Sequence, residues 1–360
     1  MESYYRCEFF EEDSVKGKKE FLVIQDEITV HPEEMSSQNL SSINNKKIRA
    51  VKDSVEYQCE LEVDKNFDSK KPTIIITLHD DSDLLKYTLN NLQENNIYKH
   101  CNIFIVDDRS EEDLKNITTE SGASYLRIDK VEQFNFSMLN NIAAKICHDY
   151  GNKEVIFWNS DLWCVDEEYF LSFVKRHKES KSKVSGSKLV YPPLSKSINK
   201  DVDTKNINAH FSNKGDIIDG KWRNTVQYGG DFWILSGGML RFVPNHFKRF
   251  TNIEDPMVNC DKGLFFLTGA LQYWDLEYFM EVGGFNPSLA KSFQDVDVCL
   301  KVCERGDSPM YFGKDIYFYH DESYTLHNSK KEKKMSPRAV SDHIIFSKIW
   351  NDKFQKIFRI

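Results

Sequence analysis

The sequence predicts an α/β fold in which a doubly wound, mostly parallel sheet is flanked by helices. Three observations predict it. From Pro72 to Trp158, apolar runs of strand length alternate with segments whose leucines recur at helical spacing. The run Thr73–Leu78 (TIIITL) is apolar on both faces, which is typical of a central parallel strand covered by helices. The segments between the apolar runs are long enough to hold a crossover helix.

The predicted elements follow in order along the chain. Strands are predicted over 73–78, 102–106, 123–128 and 154–158, and helices over 83–95, 111–120 and 136–150. Leu85, Leu89 and Leu92 give the first of these helices an apolar face. In a doubly wound sheet, ligands bind beyond the carboxyl ends of the strands. The residues that directly follow each strand are therefore the first candidates for a functional site.

The segments on either side of this core differ from it. Residues 1–71 contain short apolar runs and a polar stretch, SSQNLSSINNKK, which predict a small β-rich N-terminal appendage. The α/β domain is expected over 72–328. Residues 329–360 combine a basic stretch, SKKEKK, with an amphipathic C-terminal helix that starts near His343. We expect this helix to dock on the α/β domain or on a second subunit, although its basic residues would also suit an anionic membrane surface.

Composition restricts the partners and the location. The chain has 360 residues, of which 40% are hydrophobic and 29% charged, and a formal net charge of -8. Nucleic acid is not an expected partner, because neutralising phosphates needs a basic surface. The eight cysteines show no CxxC pair and no dense disulfide spacing. No stretch reaches the roughly 20 apolar residues of a membrane-spanning helix. We therefore expect a cytoplasmic protein, with peripheral contact at the inner face of the membrane as the alternative that the C-terminal helix leaves open.

Acidic and polar residues follow three of the predicted strands. The segment HDDS follows the first strand, DDRS the second and NSD the fourth. A single aspartate at such a place is usually a turn former or a helix N-cap. Three acidic strand ends at one edge of a sheet would repel one another unless a cation or sugar hydroxyls offset their charge. No glycine-rich phosphate loop follows any strand, so a bound diphosphate would be held by metal and side chains.

The order of these motifs resembles glycosyltransferase family 2, whose members have the GT-A fold. The resemblance covers about Pro72 to His320 and is carried by TIIITLHDDSDLLKYTLNNL, IFIVDDRS, FNFSMLNNIAAK, VIFWNSDLW and FLTGALQYWDLEYFMEVGGFNPSLAKSFQDVDVCLKVCERG. It implies a nucleotide-sugar donor, a glycan or lipid-linked acceptor, and Mn²⁺ or Mg²⁺ as cofactor. The Asn- and Lys-rich usage is associated with bacterial surface-polysaccharide enzymes, such as those of capsule biosynthesis, with hexosyl or N-acetylhexosaminyl transfer as the expected activity.

The resemblance implies which residues bind the donor nucleotide. Asp107 and Asp108 match the position that contacts the uracil or ribose. Asp80 or Asp81 lies where the first strand meets the base. Asn159 stands at the first position of the DxD motif, where relatives commonly have an acid.

The metal ligands follow from the same resemblance. Asp161 matches the last aspartate of the DxD motif, which reaches the divalent metal bridging the diphosphate. His320 resembles the late histidine of several members and is a second candidate ligand, which would bind through a neutral ring nitrogen. His327 is a weaker candidate.

The chemistry is implied by the segment QDVD. Asp295 matches the aspartate that acts as general base, removing the acceptor proton as its oxygen attacks the anomeric carbon with inversion. Asp297 could equally be that residue. Otherwise Asp297 and Gln294, together with Gly269 of the TGA turn and Gly284 of the GGF loop, would border the donor or acceptor sugar. A merely structural role for Asp295, as a charge near a helix N-terminus, also stays open.

Two other functions remain. Because Asn159 and Gln294 depart from the usual acids, a non-catalytic nucleotide-sugar or glycan-binding module of a polysaccharide-assembly complex is an alternative. A glycosidase with paired carboxylates is less favoured, since the acids lie at strand ends suited to a nucleotide. The sugar, acceptor and linkage depend on the irregular stretch from about Pro192 to Lys262, and the sequence does not determine them or the oligomeric state.

Overall fold

The computed structural model describes residues 5–10, 46–52, 55–129, 134–198, 222–236, 241–321, 337–350 and 353. The strands in these ranges are β1 Tyr5–Phe10, β2 Lys46–Lys52, β3 Val55–Glu62, β4 Thr73–Leu78, β5 Asn102–Asp107, β6 Ser124–Asp129, β7 Glu154–Trp158, β8 Leu162–Trp163, β9 Val184–Ser187, β10 Leu189–Val190, β11 Val226–Tyr228, β12 Asp231–Ser236, β13 Arg241–His246, β14 Asp261–Gly263, β15 Leu271–Asp275, β16 Met310–Phe312 and β17 Phe318–His320. The helices are α1 Ser82–Glu94, α2 Leu114–Glu120, α3 Phe136–Asp149, α4 Glu167–Ser180, α5 Leu276–Glu281, α6 Gln294–Glu304 and α7 Pro337–Trp350.

A parallel block forms the centre of the main sheet. Among the described residues this sheet has eleven strands, in the order β1-β2-β3-β6-β5-β4-β7-β15-β9-β16-β14. Strands β6, β5, β4 and β7 are parallel neighbours. The chain starts this block at β4, adds β5 and β6 on one side, and then crosses to β7 on the other. The predicted doubly wound α/β fold is therefore confirmed, with its topological switch point between β4 and β7.

Apolar side chains explain why these strands lie at the centre. Every residue of β4 and β5 is buried. The apolar face of α1, formed by Leu85, Leu89 and Leu92, is buried in the same core. Removing one large aliphatic side chain from water contributes about 1.5–3 kcal/mol. The β-branched run that predicted a central strand is thus also one of the main sources of stability.

The N-terminal strands extend the main sheet. β1, β2 and β3 form an antiparallel meander, and β3 pairs with β6 in an antiparallel arrangement. The β-rich character predicted for residues 1–71 is present in these strands, which lie beside the parallel block. A domain boundary at residue 71 stays a prediction.

Antiparallel pairing brings later parts of the chain to the carboxyl ends of the parallel strands. β15 pairs with β7 so that Leu271 is opposite Trp158. The turn before β15 therefore lies where β7 ends. In a second sheet, ordered β11-β10-β17-β8, His320 is opposite Leu162. Residues that are distant in sequence meet at this edge for that reason.

The C-terminal helix α7 begins at Pro337, earlier than the predicted start near His343. Proline suits the first turn of a helix, where its missing N–H would have no partner. Its residues Asp342, Phe346 and Trp350 are buried. The basic stretch at 329–334, and the continuation to Ile360 apart from Lys353, lie outside the described residues. None of the helices described here combines the length and the apolar character needed to cross a bilayer.

Candidate active site

A cavity of about 240 Å³ opens at the carboxyl edge of the main sheet. Its walls include the end of β7, the turn before β15, the first turn of α6 and the end of β17. Five of the residues singled out from the sequence line it, namely Asn159, Gly269, Gln294, Asp295 and His320. The structure therefore brings together candidates for donor binding, catalysis and metal binding that come from four separate segments of the chain.

Asp295 lies at the start of α6, and two backbone amides hold its carboxylate. Its Oδ2 accepts a hydrogen bond from the Gly269 N–H at 2.7 Å, and its Oδ1 accepts one from the Val296 N–H at 2.9 Å. Burial raises the pKa of the Asp295 carboxyl, and these hydrogen bonds offset the effect only in part. A carboxylate with a raised pKa is a stronger base and suits proton removal near neutral pH.

Glycine at position 269 leaves room for this contact. A Cβ atom built on Gly269 would lie 3.2 Å from the Asp295 Cβ and 3.4 Å from its Oδ2. A larger residue would push the carboxylate away from the amide that holds it. The TGA turn therefore has a steric role beside Asp295.

Asp161 and His320 form a buried pair beside the cavity. His320 Nε2 lies 3.2 Å from Asp161 Oδ1, and both residues are less than a tenth exposed. The backbone joins the same segments, because the Asp321 N–H donates to the Asp161 carbonyl at 2.9 Å. Asn159 Nδ2 lies 3.4 Å from His320 Nε2. The pairing of β17 with β8 thus brings the late histidine to the NSD motif.

This pair fits a divalent cation that takes its other ligands from substrate and water. A carboxylate oxygen and an imidazole nitrogen are both common metal ligands. In the described part of the chain, no three His, Cys, Asp or Glu side chains gather at one point. Mg²⁺ in particular is usually held by one or two protein carboxylates together with substrate phosphates. Asp161 and His320 are the protein groups that would hold such an ion here.

The predicted donor-binding acids after β4 have structural partners. Asp81 caps α1, with its Oδ1 accepting from the Leu84 N–H at 3.1 Å. Asp80 Oδ1 accepts from the Glu111 N–H at 2.7 Å. Both residues have a positive φ, 56° and 70° for Asp80 and Asp81. Aspartate tolerates this conformation better than most residues. Neither residue lines the cavity, although both lie at the same edge of the sheet.

The acids after β5 differ from each other. The Asp107 carboxylate accepts hydrogen bonds from the Tyr125 hydroxyl at 2.5 Å, from Arg127 Nη1 at 3.2 Å and from the Ser110 N–H at 2.8 Å. It is completely buried and orders the strand end. Asp108 is also buried, and its carbonyl oxygen lies 2.7 Å from His79 Nδ1.

Electrostatics links this acidic cluster to the NSD motif. Burial raises the pKa of Asp81, and the carboxylates of Glu112, Asp83 and Asp161 raise it further, against the lowering effect of the Leu84 amide. The Thr88 hydroxyl on α1 donates to the Ser160 carbonyl at 2.5 Å. The strand ends of β4 and β7 are therefore neighbours, as the switch point between them requires.

Asp297 and Gly284 do not reach the cavity. Asp297 is fully buried, where its Oδ1 accepts from Trp350 Nε1 at 2.8 Å and its Oδ2 lies 3.0 Å from Lys301 Nζ. Gly284 has φ 61° and lies three residues after the end of α5, where a Cβ would be 2.7 Å from the Asn141 Oδ1 atom. These contacts explain both residues without a sugar, so we leave them out of the proposed site. His327 lies outside the described residues.

Other lining residues were not identified from the sequence. They are Gln227, His246, Lys291, Phe134 and Phe136. Gln227 is 1% exposed, and its Nε2 lies 3.4 Å from His246 Nδ1. The Oε1 atoms of Gln227 and Gln294 have no hydrogen-bond partner among the described residues. The sugar, acceptor and linkage are expected to depend on the irregular stretch around Gln227, but no local motif distinguishes this glutamine from its neighbours.

Comparison with known proteins gives the fold. No protein family description and no curated protein match the sequence. The solved structure of GalNAc-T7 with UDP, GalNAc and Mn²⁺ is similar over 81% of this chain, with a TM-score of 0.53 and 12% identity. This chain covers 50% of the length of the GalNAc-T7 chain in that structure. The fold class is therefore confirmed as GT-A.

Two further solved structures are similar at a lower level. The match to a mannosyltransferase from Pyrobaculum calidifontis in complex with GDP-Man and Mn²⁺ covers 82% of this chain and 74% of the mannosyltransferase chain. The identity is 11% and the TM-score is 0.44. TarS residues 1–349 from S. aureus, in complex with UDP-GlcNAc, matches 73% of this chain and 62% of its own, with 13% identity and a TM-score of 0.46.

Proposed function

We propose that this protein is a metal-dependent, inverting glycosyltransferase that moves a sugar from a nucleoside-diphosphate donor, a UDP-sugar, to an acceptor hydroxyl. One observation carries the proposal. Asp295, a carboxylate with a raised pKa, lines the same cavity as His320, which contacts Asp161. A general base and two metal-binding side chains are thus within one site at the switch point of the sheet.

The proposed reaction uses Asp295 as general base. The acceptor oxygen forms a bond to the anomeric carbon of the donor sugar while its proton moves to an Asp295 oxygen. The bond between the anomeric carbon and the diphosphate oxygen breaks, and the diphosphate leaves with that electron pair. Attack from the side opposite the leaving group inverts the anomeric configuration. General base catalysis of this kind accelerates a reaction by roughly 10²- to 10⁴-fold.

The diphosphate would lie toward Asp161 and His320. A divalent metal held there supplies Lewis-acid stabilisation of the leaving charge when bound. Asp161 and His320 would hold the ion: the Asp161 carboxylate would provide negative charge, and its contact with His320 holds both side chains beside the cavity. Asp80, Asp81, Asp107 and Asp108 lie at the neighbouring strand ends, and we assign the nucleoside to that side. The solved structure of GalNAc-T7 contains UDP and Mn²⁺, which supports a nucleotide-sugar donor and a divalent metal.

The sugar would occupy the cavity itself. Gln227 and Gln294 line the cavity, and the Oε1 atom of each side chain is buried without a hydrogen-bond partner among the described residues. Buried oxygens of this kind need hydrogen-bond donors, and sugar hydroxyls or an acetamido N–H supply them. Phe134 and Phe136 offer apolar faces on which a sugar ring can pack. These features favour transfer of a hexosyl or N-acetylhexosaminyl group.

For the acceptor we propose a glycan or lipid-linked glycan of surface-polysaccharide biosynthesis, with transfer taking place in the cytoplasm. The acceptor rests on the sequence resemblance, and the location rests on the composition and the apolar runs of the chain. The alternative is a module that binds a nucleotide sugar without turning it over, which the small number of charged metal ligands favours.

The deciding experiment compares turnover and binding in one set of variants. The full-length protein is incubated with a panel of UDP-sugars and Mn²⁺, and UDP release is measured for the wild type, Asp295→Asn and the control Asp83→Asn, whose side chain is exposed on α1. Release should fall about 10²- to 10⁴-fold in Asp295→Asn and stay unchanged in the control. Undiminished release in Asp295→Asn would reject Asp295 as the base. Tight UDP binding by the wild type without release from any donor would favour the binding module.

A further inference from the structure

The C-terminal helix α7 contacts the chain segment that carries Asp295. We propose that Asp342, Phe346 and Trp350 of α7 are positioning residues that hold the 291–297 segment (KSFQDVD), and through it the Asp295 carboxylate, against the Gly269 amide. The inference rests on the proposed function for its effect on turnover, whereas the contact itself can be measured without turnover.

Asp342 binds the backbone that leads into α6. Its Oδ2 accepts hydrogen bonds from the Lys291 N–H at 2.8 Å and the Ser292 N–H at 3.0 Å. Asp342 is completely buried, so these bonds form away from water. Hydrogen bonds to a carboxylate are stronger than those between neutral groups. A single side chain on α7 thus fixes two consecutive peptide groups just before Asp295.

The start of α6 needs this external support. Phe293, the residue at the helix N-cap, has φ 65° and no side-chain hydrogen bond to the helix. A positive φ is unfavourable for an aromatic residue and persists only where the surroundings hold it. The Phe293 ring stacks on Phe346 of α7, with ring centroids 5.0 Å apart and planes at 21°. The α7 helix therefore stabilises a backbone conformation that the local sequence does not favour.

Trp350 fixes the first turn of α6 from the other side. Its Nε1 donates to Asp297 Oδ1 at 2.8 Å, and both residues are fully buried. Lys301 neutralises the other Asp297 oxygen at 3.0 Å. Asp297 and Asp295 belong to the same helical turn. Rotation of α6 about its axis would therefore break the Trp350 contact and move Asp295 away from Gly269.

These contacts predict a particular kinetic signature. The acids assigned to the nucleotide and the Asp161–His320 pair lie on other segments, so loss of the α7 contacts leaves them in position. Turnover depends on the direction of the Asp295 carboxylate, and a misplacement of about 1 Å can cost up to about 10²-fold in rate. Among the groups proposed to contact the donor, Gln294 lies on the 291–297 segment, so we expect kcat to fall more than the KM for the donor rises.

The test uses three variants of the full chain and one control. Asp342→Ala removes the acceptor of the two amides, whereas Asp342→Asn keeps an oxygen that can accept them. Trp350→Phe keeps the ring but removes the donor to Asp297. Ile344→Ser is the control, because Ile344 lies on the same helix and is 50% exposed. Amide hydrogen exchange is followed at Gly269, at Lys291 and at Ile75 of the central strand, and kcat and donor KM are measured in parallel.

In Asp342→Ala, amide exchange at Gly269 and Lys291 should become at least about tenfold faster, whereas exchange at Ile75 should not change. In Asp342→Asn, most of the protection at Gly269 and Lys291 should be retained. Trp350→Phe should speed exchange at Gly269. Unchanged exchange at Gly269 in both Asp342→Ala and Trp350→Phe would overturn the proposal. The proposal would also be overturned if exchange at Ile75 became faster by the same factor as exchange at Gly269, since that result indicates global unfolding. If exchange changes in the variants as expected but the wild type releases no UDP, the positioning contact stands and only the proposed function fails.

Discussion

His320 Nε2 lies 3.2 Å from Asp161 Oδ1 at the edge of the cavity, and both side chains are buried. The two residues come from distant parts of the sequence and meet because β17 pairs with β8. The same edge of the sheet carries Asp295, held by the Gly269 amide.

Metal binding should depend on both members of this pair. In the wild type, UDP and Mn²⁺ together should raise the melting temperature, because a ligand at about 100 times its Kd stabilises the folded state by about 2.7 kcal/mol. Asp161→Asn and His320→Gln should each lose most of the Mn²⁺-dependent part of this shift. His148→Gln serves as control, since His148 is partly exposed on α3. A full Mn²⁺-dependent shift in both variants would exclude this pair as the metal ligands.

The pH dependence of stability should report the burial of Asp295. Its folded-state pKa is raised above the ordinary value of 3.8, chiefly by burial, so the folded protein binds this proton more tightly than the unfolded chain. As the pH falls from neutral through the raised pKa, the free energy of unfolding of the wild type should therefore increase relative to that of Asp295→Asn. Urea titrations at several pH values measure the difference. A difference that is constant with pH would contradict a raised pKa.

The same shift determines the acid side of the activity profile. Asp295 acts as a base only when deprotonated, so UDP release should decline as the pH falls through its raised pKa. The decline should therefore begin at a higher pH than an ordinary aspartate would give. A kcat profile that stays flat down to the ordinary aspartate range would assign the base to another group.

Gln227 should affect the substrate more than the fold. Its Oε1 has no partner among the described residues and its Nε2 makes a long contact of 3.4 Å with His246 Nδ1, so Gln227→Leu should change the melting temperature little. If the oxygen accepts a bond from the sugar, kcat/KM should fall about 2- to 10-fold. Gln272→Leu is the matched control, because both ends of the Gln272 amide are bonded, to the Leu267 carbonyl and to Trp274 Nε1. Gln272→Leu should lower the melting temperature. An equal decrease in Gln227→Leu would contradict the assignment of Gln227 to the substrate.

His177 should limit stability in acid. It is buried and stacks on Tyr273 with ring centroids 3.9 Å apart, and burial lowers its pKa from 6.5 to about 4. The unfolded chain therefore binds a proton that the folded protein excludes, and stability is lost as the pH falls from 6.5 toward 4. The loss from this residue between pH 7 and pH 5 should be on the order of 2 kcal/mol. His177→Gln should remove most of this dependence in urea titrations, with His148→Gln again as control.

Much of the central fold could be predicted from local sequence. The bounds predicted for β4 and β7 are those of the structure, because a run of β-branched and aromatic residues buried on both faces has few alternatives to a central strand. The helix predicted over 136–150 ends one residue earlier, at Asp149. The predicted helix over 111–120 begins only at Leu114, since Asp113 is its N-cap.

The candidate site was only partly predictable. Residues beside a strand end or a recognisable motif, such as Asn159, Gly269 and Asp295, were identified and do line the cavity. Gln227 was not, because it follows no motif and reaches the cavity only through the pairing of β11 in the second sheet. Asp297 shares the QDVD motif with Asp295 but turns toward Trp350. Helical periodicity explains that divergence, since residues two apart on a helix do not share a face.

The sequence by itself determined the alternation of strands and helices, the acidic and polar residues at the strand ends, and the glycine of the TGA turn. These features depend on residues close together in the chain, where periodicity and turn chemistry act. Only the tertiary structure decided which strand ends share a cavity, that His320 contacts Asp161, and that α7 contacts the segment before Asp295. Those outcomes depend on the register of β15 on β7 and of β17 on β8, and on side chains packing across long sequence separations, which no local pattern encodes.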